Sequence, residues 1–151
     1  MKHAFRKGDF AWDGVAAAGY KTTGEREGEG FRGVTRHIIT GANGEPAQFH
    51  VRYYEVEPGG FTRLERHEHI HSVTVVRGTG YAIVGDAVHE IEHLDHIYVP
   101  PMTLHQFVNT GTAPFGFFCI VDAQRDRPQP ATAHDVARLE RNAATTGKAR
   151  V

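Results

Sequence analysis

The chain has 151 residues, an almost balanced charge and one cysteine, and these numbers exclude several classes of protein. Its 17 basic and 18 acidic residues give a formal net charge of −1, which favours neither nucleic acid nor an anionic membrane as a partner. Cys119 has no second cysteine with which to form an internal disulfide, and no apolar run approaches the ~20 residues of a membrane span. We therefore expect a single cytoplasmic domain that binds no nucleic acid and no membrane.

The first thirty residues are predicted to form an N-terminal arm with little regular structure. Residues 12–20 are small and mildly apolar, and residues 22–30 are predicted to be a flexible polar loop because glycines and charged residues alternate there. Residues 1–30 are therefore assigned to the arm.

Short β-type segments separated by Gly, Pro or Asn fill the middle of the chain and predict an all-β fold. Segments of this length at near-regular spacing are typical of a β-sandwich or barrel. The predicted strands cover residues 33–40, 48–56, 72–77, 80–84, 87–91, 96–99, 104–108 and 115–121. We assign residues 31–124 to one barrel.

Helical periodicity is found only near the end of the chain. Thr132 and Asp135 are spaced as a capping box, which predicts a helix over residues 133–143. The preceding residues 125–130 contain two prolines and four charged or amide side chains, so they are predicted to be an exposed linker. Residues 125–151 are therefore assigned to a linker and a short C-terminal helix.

Metal-ligand side chains recur at every second position in one segment, as Glu65, His67, His69 and His71. On a strand all four would point to one face, and imidazole and carboxylate are common ligands of first-row transition metals. Strand residues i and i+4 lie about 13 Å apart, whereas ligand atoms must come within about 2.0–2.2 Å of a metal. Glu65 and His67 can therefore act together, with a bend at residues 68–70 returning His71 from the next strand.

The spacing of this segment resembles the first motif of the cupin superfamily. Both glycines of that motif fall in place, but a carboxylate stands at its first His position and a His at its Glu position; the matching residues are Gly59, Glu65, His67, His71 and Gly78. The second motif is matched by Pro100, His105 and Asn109, while Leu94 and Met102 replace its glycines. The resemblance implies a single cupin barrel (a double-stranded β-helix, or jelly roll) with the N-terminal arm and C-terminal helix outside it.

The resemblance also implies a site for one divalent transition metal held by Glu65, His67, His71 and His105. Manganese is the metal expected first, with iron, cobalt, nickel and zinc as alternatives. A competing ligand set consists of His67, His69 and His105, with Glu65 orienting one imidazole. Loss of metal in His69→Ala but not in His71→Ala would favour the competing set.

Alternation along the strands predicts which side chains share the face of the metal. The predicted pocket residues are Arg52, Tyr54, Phe107, Phe117 and Cys119. Arg52 would hold an anion if it faces inward and would be a solvated edge residue if it faces outward. Cys119 is either a small buried apolar residue or a thiolate nucleophile beside the metal. As catalytic residues we predict Cys119 and Arg52.

The function implied by the resemblance is that of a metal-dependent enzyme acting on a small, anionic, sugar-derived or hydroxy-carbonyl substrate. Small cupins of this kind resemble lyases and isomerases, including those that cleave the carbon–sulfur bond of a methylthio-pentulose phosphate. A manganese or iron dioxygenase and a non-catalytic small-ligand-binding cupin are the alternatives. A homodimer is expected, because open edge strands can extend a sheet between two copies.

Overall fold

The computed structural model describes residues 1–21 and 28–151. Most of the loop predicted for residues 22–30 therefore lies outside the described residues. Within the described ranges no helix is long and apolar enough to cross a membrane.

The regular secondary structure of the described residues is almost entirely β, so the predicted all-β class is confirmed. Three short strands belong to the N-terminal arm: β1 (Phe5–Arg6), β2 (Ala11–Trp12) and β3 (Ala17–Gly19). The barrel is built from β4 (Arg32–Thr40), β5 (Phe49–Phe61), β6 (Glu65–Arg66), β7 (His71–Arg77), β8 (Gly80–Val84), β9 (Ala87–Ile91), β10 (His96–Val99), β11 (His105–Val108) and β12 (Phe115–Asp122). The chain then adds β13 (Gln129–Pro130) and the helix α1 (Ala133–Arg141).

One curled sheet contains 11 of the described strands and forms the wall of the barrel. Its central part runs in the order β10, β7, β12, β5, and β4 continues it on β5. All these neighbours are antiparallel, so residues directly opposite each other lie on one face of the sheet. The second part of the sheet joins β11 to β5, β6 and β8.

The interior of the barrel is apolar at its centre. Tyr54 on β5 lies opposite Phe117 on β12, which lies opposite Val75 on β7, and all three are buried. Phe107 packs against Phe117 with ring centroids 4.7 Å apart and the rings tilted by 32°. Burial of these large side chains removes apolar area from water and is the main force holding the two parts of the sheet together.

The N-terminal arm is more regular than predicted. β1 and β2 form a small hairpin, and β3 extends the large sheet by pairing with β4. The ring of Trp12 packs 5.0 Å from that of Tyr53 and 5.6 Å from that of Phe118, on the outer face of the barrel. Aromatic contacts with residues far along the chain hold this segment, and local composition could not reveal them.

The predicted linker and helix are also adjusted. Gln129 and Pro130, at the end of the predicted linker, form β13, which pairs with β6, and both residues are exposed as predicted. The capping box of Thr132 and Asp135 is confirmed, and the helix ends at Arg141 with Asn142 as its C-cap, two residues before the predicted end. The helix packs on the barrel through the fully buried Leu139.

Candidate metal centre

The segment between β6 and β7 is bent, and the bend gathers three histidines. β6 ends at Arg66 and β7 begins at His71, with bend residues at Glu68 and His69. As a result one ligand atom from each of His67, His69 and His71 lies within 4.8 Å of the others. The rings of His67 and His69 stack with centroids 3.6 Å apart. His69, which the predicted ligand set leaves out, belongs to the same cluster, because the bend predicted for residues 68–70 brings its ring together with those of His67 and His71.

His105 completes the cluster from the other part of the sheet. It begins β11 and lies opposite Glu65 of β6. Its ring centroid is 4.8 Å from that of His67 and 4.9 Å from that of His71. Four imidazoles from two separate segments therefore lie close together inside the barrel, and the ligand atoms of His67, His69 and His71 lie within 4.8 Å of one another.

The Nδ1 atoms of these four rings are all engaged by neighbouring groups. His67 Nδ1 donates to the main-chain oxygen of His69 at 2.7 Å, and His105 Nδ1 donates to that of Thr103 at 2.9 Å. His69 Nδ1 lies 2.6 Å from a carboxylate oxygen of Asp126. His71 Nδ1 lies 3.4 Å from Cys119 Sγ. A proton on Nδ1 leaves the lone pair on Nε2, the arrangement found in metal-ligating histidines.

Two of the four Nε2 atoms in this cluster, those of His67 and His71, are buried and lack a hydrogen-bond partner. A buried polar atom without a partner is costly, and here both unsatisfied atoms are acceptors that belong to one histidine cluster. A cation that accepts their lone pairs satisfies this donor set, so the residues present fit a divalent transition metal.

The electrostatics of the cluster favour the neutral form of each ring. Burial lowers the pKa of His67 and His69, and it lowers the pKa of His105 to about 3. Burial, followed by the charge of His105, holds the pKa of His71 well below its ordinary value. At neutral pH the four rings are therefore unprotonated at one nitrogen each, which is the state that binds a metal.

Glu65, the carboxylate of the predicted ligand set, is engaged by a lysine. Its two oxygens lie 2.8 and 2.7 Å from Lys21 Nζ. The carboxylate is buried and the lysine is partly buried, and the three-histidine group contains neither Glu65 nor His105. The sequence carries no signal for Lys21, because nothing in its neighbours marks it as a partner of a residue 44 positions away.

Asp126 is a second site residue that the sequence does not reveal. It lies in the segment predicted as a linker, yet its carboxylate accepts from the main-chain amides of Glu68 at 2.8 Å and His69 at 3.2 Å. Burial works against ionisation, but these hydrogen bonds and the one from the His69 ring outweigh it and lower the pKa of Asp126 to about 2. One carboxylate thus holds both the bend and the orientation of His69.

The cluster lies in the wall of a cavity of about 360 Å³. All the residues predicted for the metal and the pocket line this cavity: Arg52, Tyr54, Glu65, His67, His71, His105, Phe107, Phe117 and Cys119. The same wall contains His69 and Asp126, together with Lys21 from the arm.

Arg52 faces into the barrel and contacts the cysteine. It is 8% exposed, its guanidinium lies 5.2 Å from the centre of the Tyr54 ring, and its Nη2 lies 3.3 Å from Cys119 Sγ. Burial raises the pKa of the Cys119 thiol, while the charge and hydrogen bond of Arg52 act in the opposite direction. Cys119 therefore touches Arg52 on one side and His71 on the other.

Comparison with known proteins places the chain in a family. The family model of the cupin domain (Cupin_2) matches residues 52–121. The 1-methylthio-D-xylulose 5-phosphate methylsulfurylase of Rhodospirillum rubrum is 40% identical over 130 residues, which span 86% of this chain and 80% of that protein. The chain is a cupin. The predicted barrel and the resemblance on which it rested are thereby confirmed.

Solved cupin structures agree with this assignment. The crystal structure of a cupin 2 conserved barrel domain protein from Rhodopseudomonas palustris has a TM-score of 0.87 at 36% identity, covering 100% of both chains. A sugar phosphate isomerase of the cupin superfamily from Silicibacter pomeroyi has a TM-score of 0.62 at 25% identity, covering 73% of this cupin and 72% of that chain.

Proposed function

We propose that this cupin removes the methylthio group from a 1-methylthio-pentulose 5-phosphate and transfers it to a thiol, using a divalent metal held by His67, His69, His71 and His105. The observation that carries the proposal is the position of Cys119 Sγ, 3.4 Å from His71 Nδ1 and 3.3 Å from Arg52 Nη2. The name of the Rhodospirillum rubrum relative supplies the substrate class.

The four Nε2 atoms would hold the metal, and the bound metal would supply Lewis-acid polarisation of an oxygen of the substrate. Manganese is the metal we propose first. A set of imidazoles also suits iron, nickel and zinc, so each of these is included in the test. Glu65 and Lys21 lie beside this set as an ion pair and are not needed as ligands in the proposed arrangement.

The cavity has the size and chemistry for a phosphorylated five-carbon sugar. Its volume of about 360 Å³ lies within the range of about 300–1,000 Å³ typical of small-molecule sites. The rings of Tyr54, Phe107 and Phe117 form its apolar wall. Arg52 offers a guanidinium to the anionic end of the substrate.

Cys119 is the residue that we propose takes the methylthio group. We propose that its thiolate attacks the methylthio sulfur, that a disulfide bond forms between Cys119 and the methylthio group, and that the carbon–sulfur bond breaks. The electron pair of the broken bond stays on the carbon beside the carbonyl group, and that carbon then takes up one proton to become a methyl group. An external thiol next attacks the mixed disulfide, carries away the methylthio group and returns Cys119 to the thiol form.

Two hydrogen bonds prepare the thiolate. With Nε2 of His71 committed as an acceptor, its Nδ1–H points to Cys119 Sγ, and Arg52 Nη2–H donates to the same sulfur. Donors that stabilise the charged form of a group favour that form, and they oppose the effect of burial on the thiol.

The test is anaerobic turnover. The metal-loaded protein, incubated with 1-methylthio-xylulose 5-phosphate and a thiol, is expected to release a 1-deoxy-pentulose 5-phosphate and one equivalent of the mixed methyl disulfide. Phosphorus NMR and mass spectrometry measure the two products. No product with manganese, iron, cobalt, nickel or zinc would overturn the proposal, and consumption of O₂ in step with substrate would favour the dioxygenase alternative instead.

A further inference from the structure

We propose that Arg36 and Arg125 complete, together with Arg52, a subsite for the dianion of a phosphate monoester. The inference rests on the proposed function, because it names the part of the cavity that would recognise the phosphate of the substrate. Only Arg52 was predicted from the sequence as an anion-binding residue.

The order of strands sets the order of chemical groups along the cavity. The sheet runs β7, β12, β5, β4, and these strands contribute His71, Cys119, Arg52 and Arg36 in the same order. Metal ligand, sulfur and guanidinium groups are thus arranged along one face. A substrate with its reacting sulfur at Cys119 would extend its far end toward Arg36.

Arg36 is a diagonal neighbour of Arg52. It lies directly opposite Tyr54, and Arg52 is two residues before Tyr54 on the same face of β5. Diagonal neighbours on a sheet are about 7–8 Å apart, which is within the combined reach of two arginines that hold one anion. Both side chains line the cavity.

Arg125 approaches the same strand from the end of β12. Its Nη1 lies 3.2 Å from Nδ1 of His50, which is two residues before Arg52, and it also donates to the main-chain oxygen of Asp122. Burial, followed by the positive charges of Arg52 and Arg36, lowers the pKa of Arg125. Three like charges therefore gather in this part of the cavity.

These charges have no carboxylate partner among the described residues. Of the cavity-lining residues six are basic and two are acidic, in a chain whose formal net charge is −1. The two acidic side chains are already engaged, Glu65 by Lys21 and Asp126 by His69. The Nε atoms of Arg36 and Arg52 are buried without any hydrogen-bond partner. An anion that accepts hydrogen bonds from them would remove the desolvation penalty of these unpaired donors.

The number of donors favours a phosphate over a carboxylate. Each guanidinium can present a planar pair of donors, and three of them match the three terminal oxygens of a phosphate monoester. A carboxylate has two oxygens and one charge, and it would leave part of this donor set unsatisfied.

Phosphate binding to the metal-free protein tests the subsite apart from the metal. Inorganic phosphate is titrated calorimetrically into the wild type, Arg36→Met, Arg125→Met and the control Arg32→Met, which removes the same charge from an exposed position on the same strand. The dissociation constant is expected to rise about tenfold or more in the two subsite variants and to stay within about twofold in the control. Equal affinities in all four proteins, or acetate binding as tightly as phosphate, would overturn the proposal.

A kinetic measurement separates this inference from the proposed reaction. If the cupin turns over the methylthio sugar phosphate, Arg36→Met and Arg36→Lys are expected to raise KM by about tenfold or more while kcat changes by less than about threefold. If folded Arg36→Met turns over the substrate with an unchanged KM, the subsite proposal is wrong and the proposed reaction stands. If the wild type shows no turnover but the variants lose phosphate binding, the proposed reaction is wrong and the subsite proposal stands.

Discussion

Lys21 Nζ lies 2.7 Å from one carboxylate oxygen of Glu65 and 2.8 Å from the other, so the end of the N-terminal arm is fastened beside the histidine cluster. The two side chains are 14% and 7% exposed, and each would leave a buried charge if its partner were removed. A carboxylate held in this way is occupied as a hydrogen-bond acceptor. The ion pair thus bears directly on which residues act as metal ligands.

Replacement of Glu65 separates the two ligand sets. Because the proposed set consists of four imidazoles, Glu65→Gln is expected to keep one equivalent of metal after dialysis, measured by plasma mass spectrometry, while His69→Ala loses it. Retention of metal in His69→Ala and loss in Glu65→Gln would instead support Glu65 as a ligand.

The same pair predicts a stability effect that is not additive. Lys21→Met is expected to lower the free energy of unfolding by about 3 kcal/mol, because it leaves the Glu65 carboxylate buried and unpaired. The double variant Lys21→Met/Glu65→Gln has no buried charge at this place and is expected to lose less than Lys21→Met alone. Urea unfolding of the metal-free proteins measures both values, and simple addition of the single effects would contradict the coupling.

Asp126 is expected to tune metal affinity without touching the metal. Asp126→Asn keeps the size of the side chain but weakens the acceptor that orients His69, so the dissociation constant for the metal should rise about 10–100-fold. The control is Asp122→Asn, an exposed change near the same chain segment, which should leave metal affinity within about twofold. Competition with a metal-binding dye measures the constants. An unchanged affinity in Asp126→Asn would show that the main-chain bend alone orients His69.

The sequence allowed prediction of the barrel, because each strand is marked locally by β-type residues and by the glycine or proline that ends it. It also allowed prediction of His67, His71 and His105 as neighbours, since two glycines fix the register of the first two, and Pro100 and Asn109 mark the second motif that contains His105. Lys21 and Asp126 could not be found in this way. They meet the cluster from 44 and 57 residues away through single side chains, and no local pattern records such contacts.

His69 was left out for a different physical reason. The register set by Gly59 and Gly78 gives the ligand position to His71 and leaves His69 without one. The predicted bend does form, at Glu68 and His69, and hydrogen bonds from both main-chain amides to Asp126 hold it in a shape that brings His69 into the cluster as well.

Replacement of Cys119 tests whether this residue is a reacting thiol or only a buried apolar residue. Cys119→Ser is expected to bind a full equivalent of metal but to lose at least about a thousandfold in kcat, because serine is a far weaker nucleophile toward sulfur. Cys119→Ala is expected to behave in the same way, which excludes an effect of the hydroxyl group. Substantial turnover by either variant would show that Cys119 only packs against Arg52 and His71.

Asp135 at the start of α1 predicts a specific acid response. Hydrogen bonds from the main-chain amide and the hydroxyl of Thr132, followed by the contact with Arg66, lower the pKa of Asp135 to about 2 from 3.8. A group with a depressed folded-state pKa stabilises the protein above its unfolded-state pKa, and this contribution is lost as the pH falls from about 4 to about 2. It amounts to about 2 kcal/mol.

Asp135→Asn is therefore expected to lower the free energy of unfolding by about 2 kcal/mol at pH 7 and to approach the wild type as the pH falls through 4 toward 2. Asp86→Asn is the matched control, because Asp86 forms an ion pair with Arg138 of the same helix but is 61% exposed, and its loss should cost less than about 1 kcal/mol. Urea unfolding of the metal-free proteins at pH 7, 4 and 3 measures these differences without a contribution from metal release. A gap between Asp135→Asn and the wild type that stays constant down to pH 3 would contradict the assignment, since it would come from packing and not from the charge that ties α1 to β6 beside the histidine cluster.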